Sequence, residues 1–232
     1  MKKRLILIFT LLITSIVSTM NVMAQEKSVI ITSAEEEKQP LLKAIEVGVD
    51  VGGFAQKVFG SDYTSASASV TANIKNRYLP VIEIGYGEID TKHEETSITY
   101  KTKAPFFKIG CDYNFFFKKT HLPGYLFGGI RIAHSSFNYD VSAPDLKDPV
   151  WGNITIPFTY NDVKGSTTWS ELVVGVKAKI MKNFHLGWSA RYRVLLSNKK
   201  SENCEPLYIP GLGMSNSSKF GFTYNLIYNL PF

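Results

Sequence analysis

One texture constrains this chain more than any other. From about Lys43 to Phe232 it repeats short segments in which apolar residues alternate strictly with glycines, charges and small polar residues. Successive side chains of a β-strand point to opposite faces, so a period of two assigns each segment to a strand with two unlike faces. The last segment shows this most plainly. Phe220, Phe222, Tyr224, Leu226, Tyr228, Leu230 and Phe232 take every second place, with Lys219, Gly221, Thr223, Asn225 and Asn229 between them.

The same reading gives Lys43–Phe54, Ser67–Ile74, Leu79–Ile89, Ala104–Phe115, Tyr125–Ser136, Trp169–Met181 and Phe184–Leu196 as the preceding segments. The connections after the second and sixth segments are very short, and the one after the fourth is modest. The others are longer, up to the stretch from Asn138 to Thr168. Even strand number with short and long connections in alternation predicts an all-β fold: an eight-stranded antiparallel up-and-down transmembrane β-barrel. Short turns and both termini then fall on the periplasmic side.

A soluble eight-stranded barrel such as a lipocalin is the competing architecture, and the faces decide between the two. Eight strands leave an interior just wide enough for side chains to fill. Aromatics on every strand would overfill it, whereas glycines, serines and charged heads fit. The aromatic face therefore points outward, where only lipid tolerates it. Closure is also what lipid demands, because an open strand edge there leaves backbone groups unsatisfied.

Residues 1–24 read as a secretory signal, with Met1-Lys2-Lys3-Arg4 as the positive start, Leu5 to Val17 as the apolar stretch and Val22-Met23-Ala24 before the cut. No cysteine sits just after the cut, so no lipid-anchored N-terminus is expected. Residues 25–42 are expected to form a flexible periplasmic tail, and 43–232 the barrel. Past the signal, 23 basic residues face 20 acidic ones. A surplus of +3 is too mild to argue for nucleic acid as a partner. Cys111 is expected to face lipid and Cys204 to lie in an outer loop, so no disulfide is predicted.

With these residues in view, two resemblances emerge. The final segment, with Gly221, Phe222, Tyr224, Tyr228 and terminal Phe232, resembles the sorting signal of outer-membrane proteins. That likeness implies the barrel-assembly machinery as a partner during biogenesis and outer-membrane lipid as the surroundings. The chain from about Lys43 onward also resembles a family of small OmpA- or OmpX-like outer-membrane barrels known only as a domain of unknown function. Leu79–Gly87, Ala104–Phe107, Glu171–Lys177 and Tyr208–Gly211 carry that likeness. It implies a fold and a location in the outer membrane, and no activity.

By parity the inward face holds the acids Glu46, Asp50, Glu83, Asp112 and Glu171. It also holds the bases Lys108, Arg131, Lys177, Lys179, Arg191 and Arg193. Nearly balanced charges in a narrow, partly dry lumen should pair, because an unpaired buried charge is costly. The expectation is an ion-pair plug; a narrow gated ion channel is the alternative. His134 and Ser136, two apart on one face, are similar to the His-x-Ser pair of lipid A deacylases, which are also eight-stranded barrels. An acid to orient the imidazole is needed as well. Asp140 and Asp145 lie beyond the strand and Glu171 points inward, so a lipid-modifying hydrolase is the weaker reading. His93, His121 and His185 show no metal-ligand spacing, and no phosphate-cradling glycine loop occurs, so no metal or cofactor is expected. The stretch 138–168, with Trp151, Phe158, Tyr160 and Pro144, Pro149 and Pro157, reads as a long outer loop. The loop 197–217, with Tyr208, could pack beside it. Any extracellular ligand is expected to meet these loops. The function expected is a non-enzymatic outer-membrane barrel serving binding, adhesion or envelope maintenance.

Overall fold

In the computed structural model the described residues are 40–53, 63–92, 97–147, 155–199, 205–215 and 219–230, without the side chains of 144–147 and 155–158. The expected signal segment, nearly all of the expected tail, and His93, Trp151, Cys204 and Phe232 lie outside them, as does the side chain of Phe158. The strands are β1 (Leu42–Asp50), β2 (Tyr63–Ile74), β3 (Tyr78–Lys92), β4 (Thr99–Asn114), β5 (Gly124–Lys147), β6 (Thr155–Lys179), β7 (Phe184–Lys199), β8 (Tyr208–Ile209), β9 (Gly213–Met214) and β10 (Phe220–Leu230). Eight of them form one closed ring, β1-β10-β7-β6-β5-β4-β3-β2, and β8 and β9 form a separate two-stranded hairpin. Every pairing in the ring is antiparallel, and β1 closes on β10 with Val47 opposite Tyr228.

One end carries the short turns. Between β2 and β3, Lys75 and Asn76 both adopt positive φ (51° and 56°), and Arg77 N donates to Ile74 O at 3.0 Å. Two left-handed central residues give the hairpin turn whose twist matches the strands it joins, and asparagine accepts that conformation readily. The wall rising from this end is apolar outside. Ile82, Ile84, Phe107, Ile109, Ile130, Ile132, Leu172 and Val174 are all exposed, Ile130 to 63%. On β7, outward apolar residues run from Phe184 to Val194. Ten steps at about 3.3 Å on a strand tilted by about 40° give a belt roughly 25 Å tall, the height of a lipid-facing band.

Beyond this belt the two faces exchange character. Outward positions become polar: Glu88, Asp90 and Lys92 on β3, Lys103 and Lys101 on β4, and Asn138 and Asp140 on β5. Lys101 pairs with Asp90 at 2.9 Å and Lys103 with Glu88 at 3.4 Å. Inward positions become apolar, and Ile89, Tyr100, Phe106, Phe137, Tyr139, Val141 and Trp169 form one buried cluster. The wall is thus built for lipid in its lower part and for water in its upper part, without any change of strand.

This upper part departs from the sequence expectation. The stretch 138–168 is mostly strand, since β5 continues to Lys147 and β6 begins at Thr155. The continuation bends at register shifts between Tyr139 and Val141 and again between Ala143 and Leu146. At the first, Asp162 takes φ 56°, its N–H donates to Asp140 Oδ1 at 2.7 Å, and Asn138 Nδ2 donates to Asp162 Oδ1 at 2.6 Å. Side chains thus satisfy the polar groups where the ladder slips. Strands β2 and β4 likewise begin earlier than the alternation predicts, and β1 ends at Asp50.

Candidate functional site: a lumen closed in two tiers

The lower tier is a network of charges. Glu83 of β3 meets Arg131 Nη1 at 2.7 Å, Arg191 Nη1 at 3.0 Å and Lys108 Nζ at 3.3 Å. Glu171 of β6 meets Lys108 Nζ at 3.1 Å, Arg191 Nη1 at 3.2 Å and Arg193 Nε at 3.5 Å. Asp112 of β4 accepts from Arg131 Nη2 at 2.9 Å. Four cations and three carboxylates from five strands are thereby knotted together across the axis, and the Glu171 side chain is 0% exposed. Glycine opens space for the heads: a Cβ on Gly129 would lie 2.1 Å from Asp112 Oδ1.

Four of the inward charges expected from parity stand apart from this knot. Glu46 and Lys177 pair with each other nearer the short-turn end. Asp50 accepts from Gly52 N at 2.8 Å and makes no ion pair among the described residues, although its charge acts on Arg191. Lys179 is solvent-exposed at the end of β6, because the wall stops there and leaves its side chain in water.

The upper tier is apolar and is filled by the chain itself. The segment 205–215, which contains β8 and β9, enters the mouth and buries Tyr208, Ile209 and Leu212 in the cluster of Tyr100, Phe106, Phe137 and Tyr139. Hydrogen bonds from Tyr100 Oη to Tyr208 O at 3.0 Å and from Arg193 Nη1 to Leu212 O at 2.7 Å help to hold it. Gly211 sits at φ +81° on the Phe106 ring, where an added Cβ would lie 2.5 Å from Cγ. Only glycine meets both demands. The tiers share residues. Trp169 belongs to the apolar cluster while its Nε1 donates to Glu171 Oε1 at 2.9 Å. The Lys108 ammonium lies 4.9 Å from the Phe106 ring centre.

Tyr208 is therefore an interior residue and no part of an outer contact surface. Its ring meets Tyr63 edge-on at 5.1 Å, and burial pushes its phenol well above the usual tyrosine range. Of the other expected contact residues, Tyr160 is half-buried near the top of β6. Sequence reasoning missed the hairpin as a stopper. Pro206, Pro210, Gly211 and Gly213 signal tight turns, but nothing local says that the turn folds inward.

His134 and Ser136 line an outward groove of about 690 Å³ with Val49, Ala68, Ile84 and Phe107. The groove could seat an acyl chain. The His134 ring, however, places Nδ1 2.9 Å from Thr168 Oγ1 and has no carboxylate partner among the described residues. The outward acid Glu88 on β3 is engaged by Lys103. The parts of a nucleophile–base–acid relay are not assembled. Among the described residues no group of three or more His, Cys, Asp or Glu could hold a metal ion. Cys111 is a free thiol on the outward face. Gly221, Phe222, Tyr224 and Tyr228 lie on β10, with the three aromatics exposed and Gly221 inward beside Arg193.

A closed eight-stranded up-and-down barrel, apolar outside and charged within, defines the transmembrane class of β-barrels. Within that class the chain belongs to the family described as "Domain of unknown function (DUF6048)", whose model matches residues 3–232, in line with the resemblance read from the sequence. No curated protein matches it. Among solved structures it is similar to a major outer membrane protein from Thermus thermophilus, at 10% identity and TM-score 0.43, over 81% of this chain and 98% of that one. It is similar to Ail, the attachment invasion locus protein of Yersinia pestis, at 11% identity and TM-score 0.41, over 81% and 97%. It is also similar to the N-terminal β-barrel domain of Pseudomonas aeruginosa OprF, at 10% identity and TM-score 0.39, over 81% and 97%.

Proposed function

We propose that this protein is a sealed, non-enzymatic barrel of a bacterial outer membrane, exported by the signal at residues 1–24. Its termini and short turns lie in the periplasm, and its water-facing head is displayed at the cell surface for binding, adhesion or envelope maintenance. The observation that carries this reading is the double closure of the lumen. A knot of ion pairs lies under an apolar seat that the segment 205–215 fills. A barrel whose axis is blocked by its own side chains and its own loop has no route for solute, which leaves its two ends and its lipid-facing wall as the working surfaces. The belt of roughly 25 Å supports the membrane, and the strand extensions beyond it, together with the connections 51–62 and 200–219 opposite the short turns, support the orientation.

The test combines two measurements on the full mature chain. In outer-membrane extracts it stays folded in cold SDS and changes gel mobility on boiling, as a closed barrel does. In planar bilayers it gives no conductance steps. Discrete single-channel steps from the wild-type protein would replace this reading with the gated channel.

A further inference from the structure

At the short-turn end, below the Glu46–Lys177 pair, the barrel opens into a polar chamber of about 370 Å³, within the size range of small-molecule sites. Five lysines line it (Lys43, Lys119, Lys177, Lys179 and Lys182) against one acid, Glu46, which is already paired with Lys177. The connections around this end, 75–77, 115–123 and 180–183, add Lys75, Arg77 and Lys118 and contain no acid. A concave wall of one sign focuses the field into the cavity and concentrates ions of the opposite sign there. Two further lining side chains each hold a buried atom that finds no hydrogen-bond partner among the described residues. Asn73, only 4% exposed, leaves its acceptor Oδ1 bare, and His185 leaves Nδ1, an acceptor in the tautomer that carries the ring proton on Nε2. A buried acceptor left bare is costly, so a ligand that donates to it gains where a plain ion does not.

We propose that this chamber is a binding site for a compact soluble anion that carries two or more carboxylate or phosphate groups and at least one O–H or N–H donor. Lys119, Lys179 and Lys182 hold the anionic groups, and the donor meets Asn73 Oδ1 or His185 Nδ1. The chamber is walled by the inward ends of the strands and by the connections 115–123 and 180–183 at the mouth of the ring. The site is independent of the events at the head and of which side of the membrane this end faces.

The experiment is calorimetric titration of the full mature chain, refolded in phosphatidylcholine nanodiscs, with citrate, tricarballylate and pyrophosphate as probes. Tricarballylate is citrate without its hydroxyl. Citrate is expected to bind about tenfold more tightly than tricarballylate, the worth of one hydrogen bond to a bare buried acceptor. Its affinity is expected to fall as salt rises. Citrate binding that exceeds pyrophosphate binding assigns the anionic groups as carboxylates, and the reverse assigns phosphates. The triple variant K119A/K179A/K182A, all at exposed positions, should lose binding at least tenfold with its heat-modifiable mobility intact. The variant K101A/K103A at the other end should bind as the wild type does. Equal loss in both variants, or no saturable heat with citrate or pyrophosphate, would overturn the proposal.

Discussion

Glu83→Gln removes the carboxylate on which Lys108, Arg131 and Arg191 converge, at 3.3, 2.7 and 3.0 Å. Breaking a buried pair by deleting one partner costs about 3–5 kcal/mol, because the other charge stays in the low-dielectric interior without compensation. Each of the three cations keeps one acid here, Glu171 for Lys108 and Arg191 and Asp112 for Arg131, so the low end applies. About 3 kcal/mol is a shift of roughly 100-fold in the folded-to-unfolded ratio. Urea titration of the barrel refolded in lipid vesicles, read by tryptophan fluorescence and by gel mobility without boiling, measures it. Adding Lys108→Met to Glu83→Gln removes one unpaired cation, and the double variant should recover at least about 1 kcal/mol as a coupling. A cost below about 0.5 kcal/mol for Glu83→Gln, with no coupling to Lys108, is the cost of a solvated surface charge and refutes the reasoning. The lumen would then be wet and the network a set of exposed pairs.

Gly211→Ala should cost about 1–3 kcal/mol in strain at a positive φ and raise the rate at which proteinase K cuts within 205–215 by roughly 10-fold or more, with the barrel itself still heat-modifiable. Val174→Lys, in the middle of the outward belt, should destabilise the barrel by about 2–4 kcal/mol, while Asp90→Asn on the water-facing wall stays within about 0.5 kcal/mol; both are read by the same urea titration. Burial raises the Tyr208 phenol above its ordinary value of 10.0, so the stability it contributes is complete below pH 10 and falls as pH rises beyond it. Tyrosinate absorbance in wild type and Tyr208→Phe should therefore coincide at pH 11 and diverge only when the hairpin leaves its seat. Ser136→Ala should leave lipid A acylation unchanged by mass spectrometry, since His134 has no acid among the described residues to orient it.

The ring of eight strands was legible because lipid imposes the same rule on every strand: apolar side out, small or charged side in. That rule gave the parity of Glu83, Lys108, Asp112, Arg131, Glu171, Arg191 and Arg193 and so their inward direction. It could not give their partners, because which guanidinium meets which carboxylate depends on strand stagger across the axis. The rule also failed where the membrane ends. Outward Ile130 and Ile132 have even numbers, while Phe137, Tyr139 and Val141 have odd ones, so the apolar residues change face within one unbroken strand. Alternation persists there with its phase reversed, and together with Pro144, Pro149 and Pro157 this reads as a loop. The reversal itself was the missed signal. The inward course of 205–215 had no such signal, since its partners Tyr100, Phe106 and Arg193 come from other strands and the packing is wholly non-local.

The exchange of faces along one strand is the central claim, and a single-cysteine scan of β5 tests it most directly. With Cys111 and Cys204 replaced by serine, cysteines are placed one at a time at Ile130, Ile132, Asn138 and Asp140, all exposed outward positions. In vesicles, Ile130→Cys and Ile132→Cys should resist a membrane-impermeant maleimide and, once carrying a fluorophore, be quenched from within the lipid. Asn138→Cys and Asp140→Cys should label at once and escape that quenching. Labelling of Ile130→Cys from water as fast as Asp140→Cys would mean that the belt does not face lipid, and the membrane-spanning account would be wrong.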